Sequence, residues 1–97
     1  MRFTWDAAKS DRNLAERGFD FAFASLIFDG PTVERHDTRQ HYGERRMIAL
    51  GLADGIPLTV VYTDRAEGGT EAVRRIISAR VSDRRERKAY REAFATE

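Results

Sequence analysis

The sequence predicts an α+β domain: a small antiparallel sheet preceded by two helices and followed by one, in the order βααββββα. Three observations carry this. Runs of β-branched or alternating residues crowd into positions 32–81, while helical caps and helical spacing flank them. The Asp54-Gly55 pair separates two apolar runs, as a two-residue hairpin requires, because both turn positions need positive φ. A chain of 97 residues supplies one core and not two, so a single domain, 1–97, places any site on the surface or edge of one sheet.

RFTW (2–5) reads as a short strand. Asp6 stands as the N-cap of a helix running to about Arg17, where Gly18 stops it. Asp20 caps a second helix, in which Phe21, Ala24, Ser25 and Phe28 recur at i, i+3, i+4 and i+7; Phe23, Leu26 and Ile27 widen the apolar stripe. Trp5 and Phe28 are expected to be buried. Asp29-Gly30-Pro31 ends the helix. Four strands follow, TVERH (32–36), ERRMIALGLA (44–53), IPLTVVYTD (56–64) and EAVRRIISARV (71–81), as an antiparallel meander with a looser turn at Glu67-Gly68-Gly69. Ser82 is the natural N-cap of a last helix, helped by Asp83, in which Ala89, Tyr90, Ala93 and Phe94 form an apolar stripe to about Ala95.

Composition narrows the chemistry. There is no cysteine, which excludes a disulfide framework and a thiolate-held metal. His36 and His41, the only imidazoles, lie five apart and lack the i,i+4 spacing of a helical metal pair; HDTRQH reads as a solvated loop, and no metal or cofactor is expected. The opening residues hold charges where a secretory signal needs an apolar run, and no stretch approaches the roughly 18 apolar residues of a membrane span. A soluble, cytoplasmic protein with no membrane partner is the expectation.

The net charge of +1 hides an asymmetry. Residues 1–73 hold nine Lys/Arg against twelve Asp/Glu, whereas residues 74–97 hold eight against four. Arginine outnumbers lysine fifteen to two, and its planar fork grips phosphate or carboxylate through two donors. Straight alternation in the last strand sets Val73, Arg75, Ile77, Ala79 and Val81 against Ala72, Arg74, Ile76, Ser78 and Arg80. Arg65, on the more polar side of the preceding strand, can share a face with Arg80. In the last helix Arg84, Arg87, Lys88 and Arg91 form one basic stripe. Such a surface suits a polyanion; equally, it is a solvated face. Cutting RNA without a metal needs a base for the 2′-hydroxyl, cations for the phosphate and an acid for the leaving oxygen, roles that Glu, Arg and Tyr can fill.

Three segments, WDAAKSDRNLAERGFDF, YGERRMIALGL and RRIISARVSDRRERKAYRE, together resemble the BrnT family of type II toxins over essentially the whole chain. The matching positions are Trp5, Asp6, Lys9, Asn13 and Gly18; Gly43, Glu44 and Arg45; Ile76 to Arg80; and Arg84, Glu86, Arg87 and Tyr90. The chain departs from the family pattern at Glu16-Arg17-Gly18, where Lys-His-Gly is usual, and at Tyr62, where histidine is common.

The resemblance implies a RelE-like fold and a metal-independent endoribonuclease toxin, neutralised by a cognate BrnA-like antitoxin. The assembly it allows is a toxin dimer within a toxin–antitoxin heterotetramer. Carried onto this chain, it implies Glu44 as general base, Arg80 and Arg84 as phosphate and transition-state ligands, and Arg65 as a supporting cation. Tyr90 would be an acid or a base-stacking residue, with Lys9, Arg17, Arg87, Lys88 and Arg91 binding RNA. Two alternatives stay open. Glu44 also fits an edge-strand charge, since its alternation partners Arg46, Ile48, Leu50 and Leu52 look like a core face. Arg80 also fits a structural ion pair with an acid such as Asp64. The rival to an enzyme is a non-catalytic module whose basic face seats an acidic partner or RNA.

Overall fold

The computed structural model describes residues 1–67 and 71–95. The elements are β1 (Arg2–Trp5), α1 (Ala7–Arg17), α2 (Phe21–Ala24), a 3-10 segment (Ser25–Asp29), β2 (Val33–His36), β3 (Met47–Ala53), β4 (Ile56–Glu67), β5 (Glu71–Val81) and α3 (Arg84–Ala93). The expected Gly68-Gly69 turn lies outside the described residues.

Strands β2 to β5 form the expected antiparallel meander, but the sheet is mixed, in the order β1-β5-β4-β3-β2, because β1 joins β5 in parallel. Propensity identifies a strand without choosing its partner. Here β1 covers only the first half of the edge of β5, ending with Trp5 beside Ile76. Beyond it Arg17 of α1 donates to the Ala79 carbonyl at 2.8 Å, so a helix takes over the remaining edge. At the other hairpin Asp54 and Gly55 take φ of 49° and 78°, as the two-residue turn demands.

Asp6 and Asp20 cap the first two helices through their carboxylates. The second helix is shorter than expected: one α-turn passes directly into the 3-10 segment. Its period tightens from 3.6 to about 3 residues, and the buried line becomes Phe21, Ala24 and Ile27. Phe28, assigned to the buried stripe by α-helical spacing, is half-buried, and so is Trp5. Ile27 lies against β3 where a Cβ on Gly51 would stand 2.8 Å from its own Cβ. Glycine at 51 and alanine at 49 and 53 therefore let the 3-10 backbone approach the sheet.

The helix-packed face of the sheet carries Ala49, Ala53, Leu58, Val60, Tyr62, Ile76 and Ala79. The bulkier alternates Ile48, Leu50, Thr59 and Val61 are buried on the opposite face. Of the even-numbered set of β3, expected as a core face, Ile48 and Leu50 are buried, on the side away from the N-terminal helices, while Leu52 is exposed. The ladder itself starts at Met47 rather than at 44, and β4 continues past residue 64 to Glu67.

Straight alternation also fails in β5. Val61 pairs with Ser78 and Tyr62 with Ile76, leaving Ile77 as an extra, bulged residue. Arg74 and Ile76 thus share the helix-packed face with Ala79, while Val73, Arg75, Ser78 and Arg80 share the other.

The N-cap of α3 is Asp83, not Ser82. Asp83 accepts from the Glu86 amide while Glu86 accepts from the Asp83 amide, a reciprocal capping box. Ser82, displaced from that role, is buried with its hydroxyl 2.9 Å from that of Thr59. The helix ends at Ala93, two residues short of expectation.

Candidate functional site

The face opposite α1 and α2 gathers most of the residues singled out in the sequence. Two features build it. Helix α3 folds back to pack on β3, its Tyr90 hydroxyl donating to the Pro31 carbonyl at 2.9 Å. The segment 37–46 runs in beside the sheet, pinned by Asp37 N–H to the Arg46 carbonyl (2.8 Å) and by the Thr63 hydroxyl to the Arg45 carbonyl (2.7 Å).

That second anchor delivers Glu44. Its carboxylate accepts from Arg65 at 3.0 Å through Oε1 and from Arg46 at 3.1 Å through Oε2. Glu44 lies in a bend before β3, just after Gly43 with φ of 76°, and its carboxylate reaches the face that Ile48 and Leu50 share with the arginines. The Arg65 hydrogen bond, with help from Arg46, holds Glu44 below the usual carboxylate range although burial opposes this. Arg46 also lies over the Tyr42 ring, 4.0 Å from its centroid.

At the other end of the face Arg80 grips Glu86 through two donors, at 2.6 and 2.8 Å. Its partner is therefore Glu86 and not Asp64. Burial disfavours the Glu86 carboxylate, but the Arg80 fork and the Asp83 amide outweigh it and bring the pKa down to about 2. Arg80 is 44% exposed and can still be approached from solvent. Nearby, buried Asp37 accepts two bonds from Arg39, at 2.8 and 2.7 Å, and is lowered to about 2 mainly by that pairing.

Arg65 and Arg80 share this face, as expected, but they are not neighbours. Arg80 pairs with Thr59, six residues before Arg65 along β4, a span of about 20 Å. Arg84, Arg87, Lys88 and Arg91 are exposed on α3; Arg87 donates to the Ser82 carbonyl and Lys88 lies 3.8 Å from Glu92. Tyr90 packs at a tilt against Phe94 and belongs with the Pro31 loop rather than with Glu44. Lys9 and Arg17 stand apart, lining a shallow concavity of about 160 Å³ with Ile77 and Ser78 at the edge of β5.

Sequence reasoning missed Asp37, Arg39, Arg46 and Arg75 as members of this face. The first three depend on how a loop folds onto the sheet, for which no spacing rule exists. Arg75 is hidden by the bulge. Glu86 was legible as a motif residue but not as the partner of Arg80.

The helix-packed face has its own polar cluster, of a different kind. Arg74 is clasped by Asp64 at 2.8 and 2.9 Å and sits over the rings of Tyr62 and Phe28, at 4.0 and 4.7 Å. Tyr62 is buried and donates to Glu34; burial first, then that carboxylate, pushes its hydroxyl pKa up. Every member of this cluster is partnered within the fold. Among the described residues no group of three or more His, Cys, Asp or Glu is placed to hold a metal, and no helix is long and apolar enough to cross a membrane.

No curated protein matches the sequence. The family model for the ribonuclease toxin BrnT of type II toxin–antitoxin systems matches residues 5–86, from Trp5 beside the sheet edge to Glu86 beneath Arg80. That match spans strands β2 to β5 and both carboxylate–arginine clusters, and the chain belongs to the BrnT family of ribonuclease toxins.

Proposed function

We propose that this protein is an active, metal-independent endoribonuclease of the cytoplasm, working on the face that carries Glu44, Arg65 and Arg80. The observation that carries the reading is the pairing of accessible arginines with carboxylates at both ends of one sheet face, Glu44 with Arg65 and Glu86 with Arg80. Family membership supports the activity class.

In the free protein each carboxylate acts as a counter-ion. An RNA phosphate that engages Arg65 competes for the donor holding Glu44. As that hydrogen bond loosens, the Glu44 pKa rises toward its ordinary value, and the carboxylate becomes a better acceptor for the ribose 2′-hydroxyl proton. The 2′-oxygen then attacks the adjacent phosphorus and expels the 5′-oxygen, which takes a proton from solvent and leaves as a hydroxyl, while the other fragment ends in a cyclic phosphate. Arginine forks stabilise the charge that builds on the phosphoryl oxygens. Arg84, Arg87, Lys88 and Arg91 extend the cationic track along α3. Tyr90, whose hydroxyl is held by Pro31, offers its ring to a base more readily than its proton.

A second reading, a binding module without catalysis, is favoured by one observation: both carboxylates are tied up by arginines, and Glu44 is held low. Incubating the pure protein with labelled RNA in EDTA separates the two. Cleavage that disappears in an Arg80→Ala protein purified in parallel supports the enzyme; RNA bound but uncut supports the module. A BrnA-like antitoxin is the proposed partner, covering the same face with acidic residues, so that inhibition and RNA binding compete.

A further inference from the structure

The neighbouring arginines 74 and 75 point to opposite faces and meet opposite circumstances. Arg74 is fully partnered. Arg75 lies cross-strand from Thr63 on the face of Glu44 and Arg65, and it is partly withdrawn from solvent. Its side chain nevertheless makes no hydrogen bond or ion pair among the described residues, and among the described arginines it alone combines partial burial with the lack of any such partner. Arg65 faces Val73, so Arg75 is its diagonal neighbour on the same face, at the roughly 7–8 Å spacing that long side chains bridge.

One carboxylate, Glu44, serves Arg65 and Arg46, and among the described residues no acid serves Arg75. Among the described side chains here, three guanidiniums stand against a single carboxylate, an excess of positive charge on a partly dehydrated surface. A like-charged diagonal pair is unfavourable unless an anion joins it. We propose that Arg75 and Arg65 form a phosphodiester subsite for RNA, with Glu44 as its resident counter-ion. This rests on the reading that RNA occupies this face, and it adds to the cleavage machinery a residue outside the individual positions matched to the family pattern. Two forks converging from adjacent strands would fix the phosphate against Glu44, whereas the Arg80 end, about 20 Å away along the strand, holds a different phosphate of the same strand.

The test is Arg75→Gln, with Arg75→Lys beside it. Cleavage of a labelled single-stranded RNA is measured together with the salt dependence of binding to its 2′-O-methyl counterpart, which lacks the nucleophile. Arg75→Gln is expected to slow cleavage by about 100-fold and to reduce the slope of log affinity against log salt by about 0.7. Lysine should restore the slope but only part of the rate. A wild-type rate and slope in Arg75→Gln overturn the subsite, and so does a melting temperature lower by more than ~5 °C, which marks a structural residue. A wild-type protein that binds the 2′-O-methyl RNA with an Arg75-dependent slope yet cuts no RNA removes the ribonuclease reading and leaves the subsite standing.

Discussion

The two faces of the sheet hold arginines on different terms. On the helix-packed face Arg74 has a bidentate acid and two aromatic rings, and the cluster around it answers every polar atom it buries. On the other face Arg65 and Arg80 are themselves exposed, each paired with a half-buried acid, and the Arg75 side chain has no acid among the described residues. An ion pair that solvent reaches is worth little to stability, roughly 0–1 kcal/mol, and is readily exchanged for another anion. The same residue type therefore serves as a structural clasp on one side and as an open ligand on the other, and burial decides which.

That contrast can be broken in several ways. The largest effect is expected for Arg80→Ala, which should lower the RNA cleavage rate by about 10²–10³-fold with the fold retained, because a phosphate donor is lost and no core cavity opens. Lysine there should rescue only partly. Unfolding of Arg80→Ala, followed by circular dichroism, would make the Glu86 pair structural.

On the helix-packed face the order is reversed. Ile27→Ala removes a fully buried side chain and should destabilise by about 3 kcal/mol while cleavage per folded molecule stays near wild type. Gly51→Ala should be milder, about 1–3 kcal/mol, since the added Cβ meets Ile27 at 2.8 Å and the 3-10 segment must shift. Denaturant titration reads both.

Acid should weaken the site-bearing face through its carboxylates. Glu86 is lowered from 4.5 to about 2 and Asp37 from 3.8 to about 2, so the folded state favours their charged forms. Their stabilisation is full above about pH 4.5 and is lost as the pH falls toward 2. A melting curve taken across that window should move down, and Glu86→Gln should flatten the response. The smallest effect is that of Lys88→Ala on α3, which should leave the melting temperature unchanged and reduce the salt slope of RNA binding by about 0.7.

Much of this was legible beforehand. The caps at Asp6 and Asp20, the Asp54-Gly55 hairpin and the basic stripe of α3 follow from local chemistry that each residue carries with it. Whatever depends on contacts distant in sequence was not. The parallel partner of β1 is chosen by the open edge of β5, and Ile27 displaces Phe28 from the buried line because tight approach to Gly51 favours a 3-10 period. The bulge at Ile77 exchanges the faces of the β5 arginines, which is why Arg75 escaped notice. Glu44 reaches the arginine face through a loop that bends before β3 begins, and no alternation rule describes that path.

The most direct measurement compares Arg65→Gln with Arg74→Gln, recording cleavage rate per folded molecule and melting temperature for each. The open-face account predicts about a 100-fold loss of rate with an unchanged melting temperature for Arg65→Gln. For Arg74→Gln it predicts a lowered melting temperature with the rate held within about threefold. A rate that collapses in Arg74→Gln and survives in Arg65→Gln would place the chemistry on the helix-packed face and contradict the account.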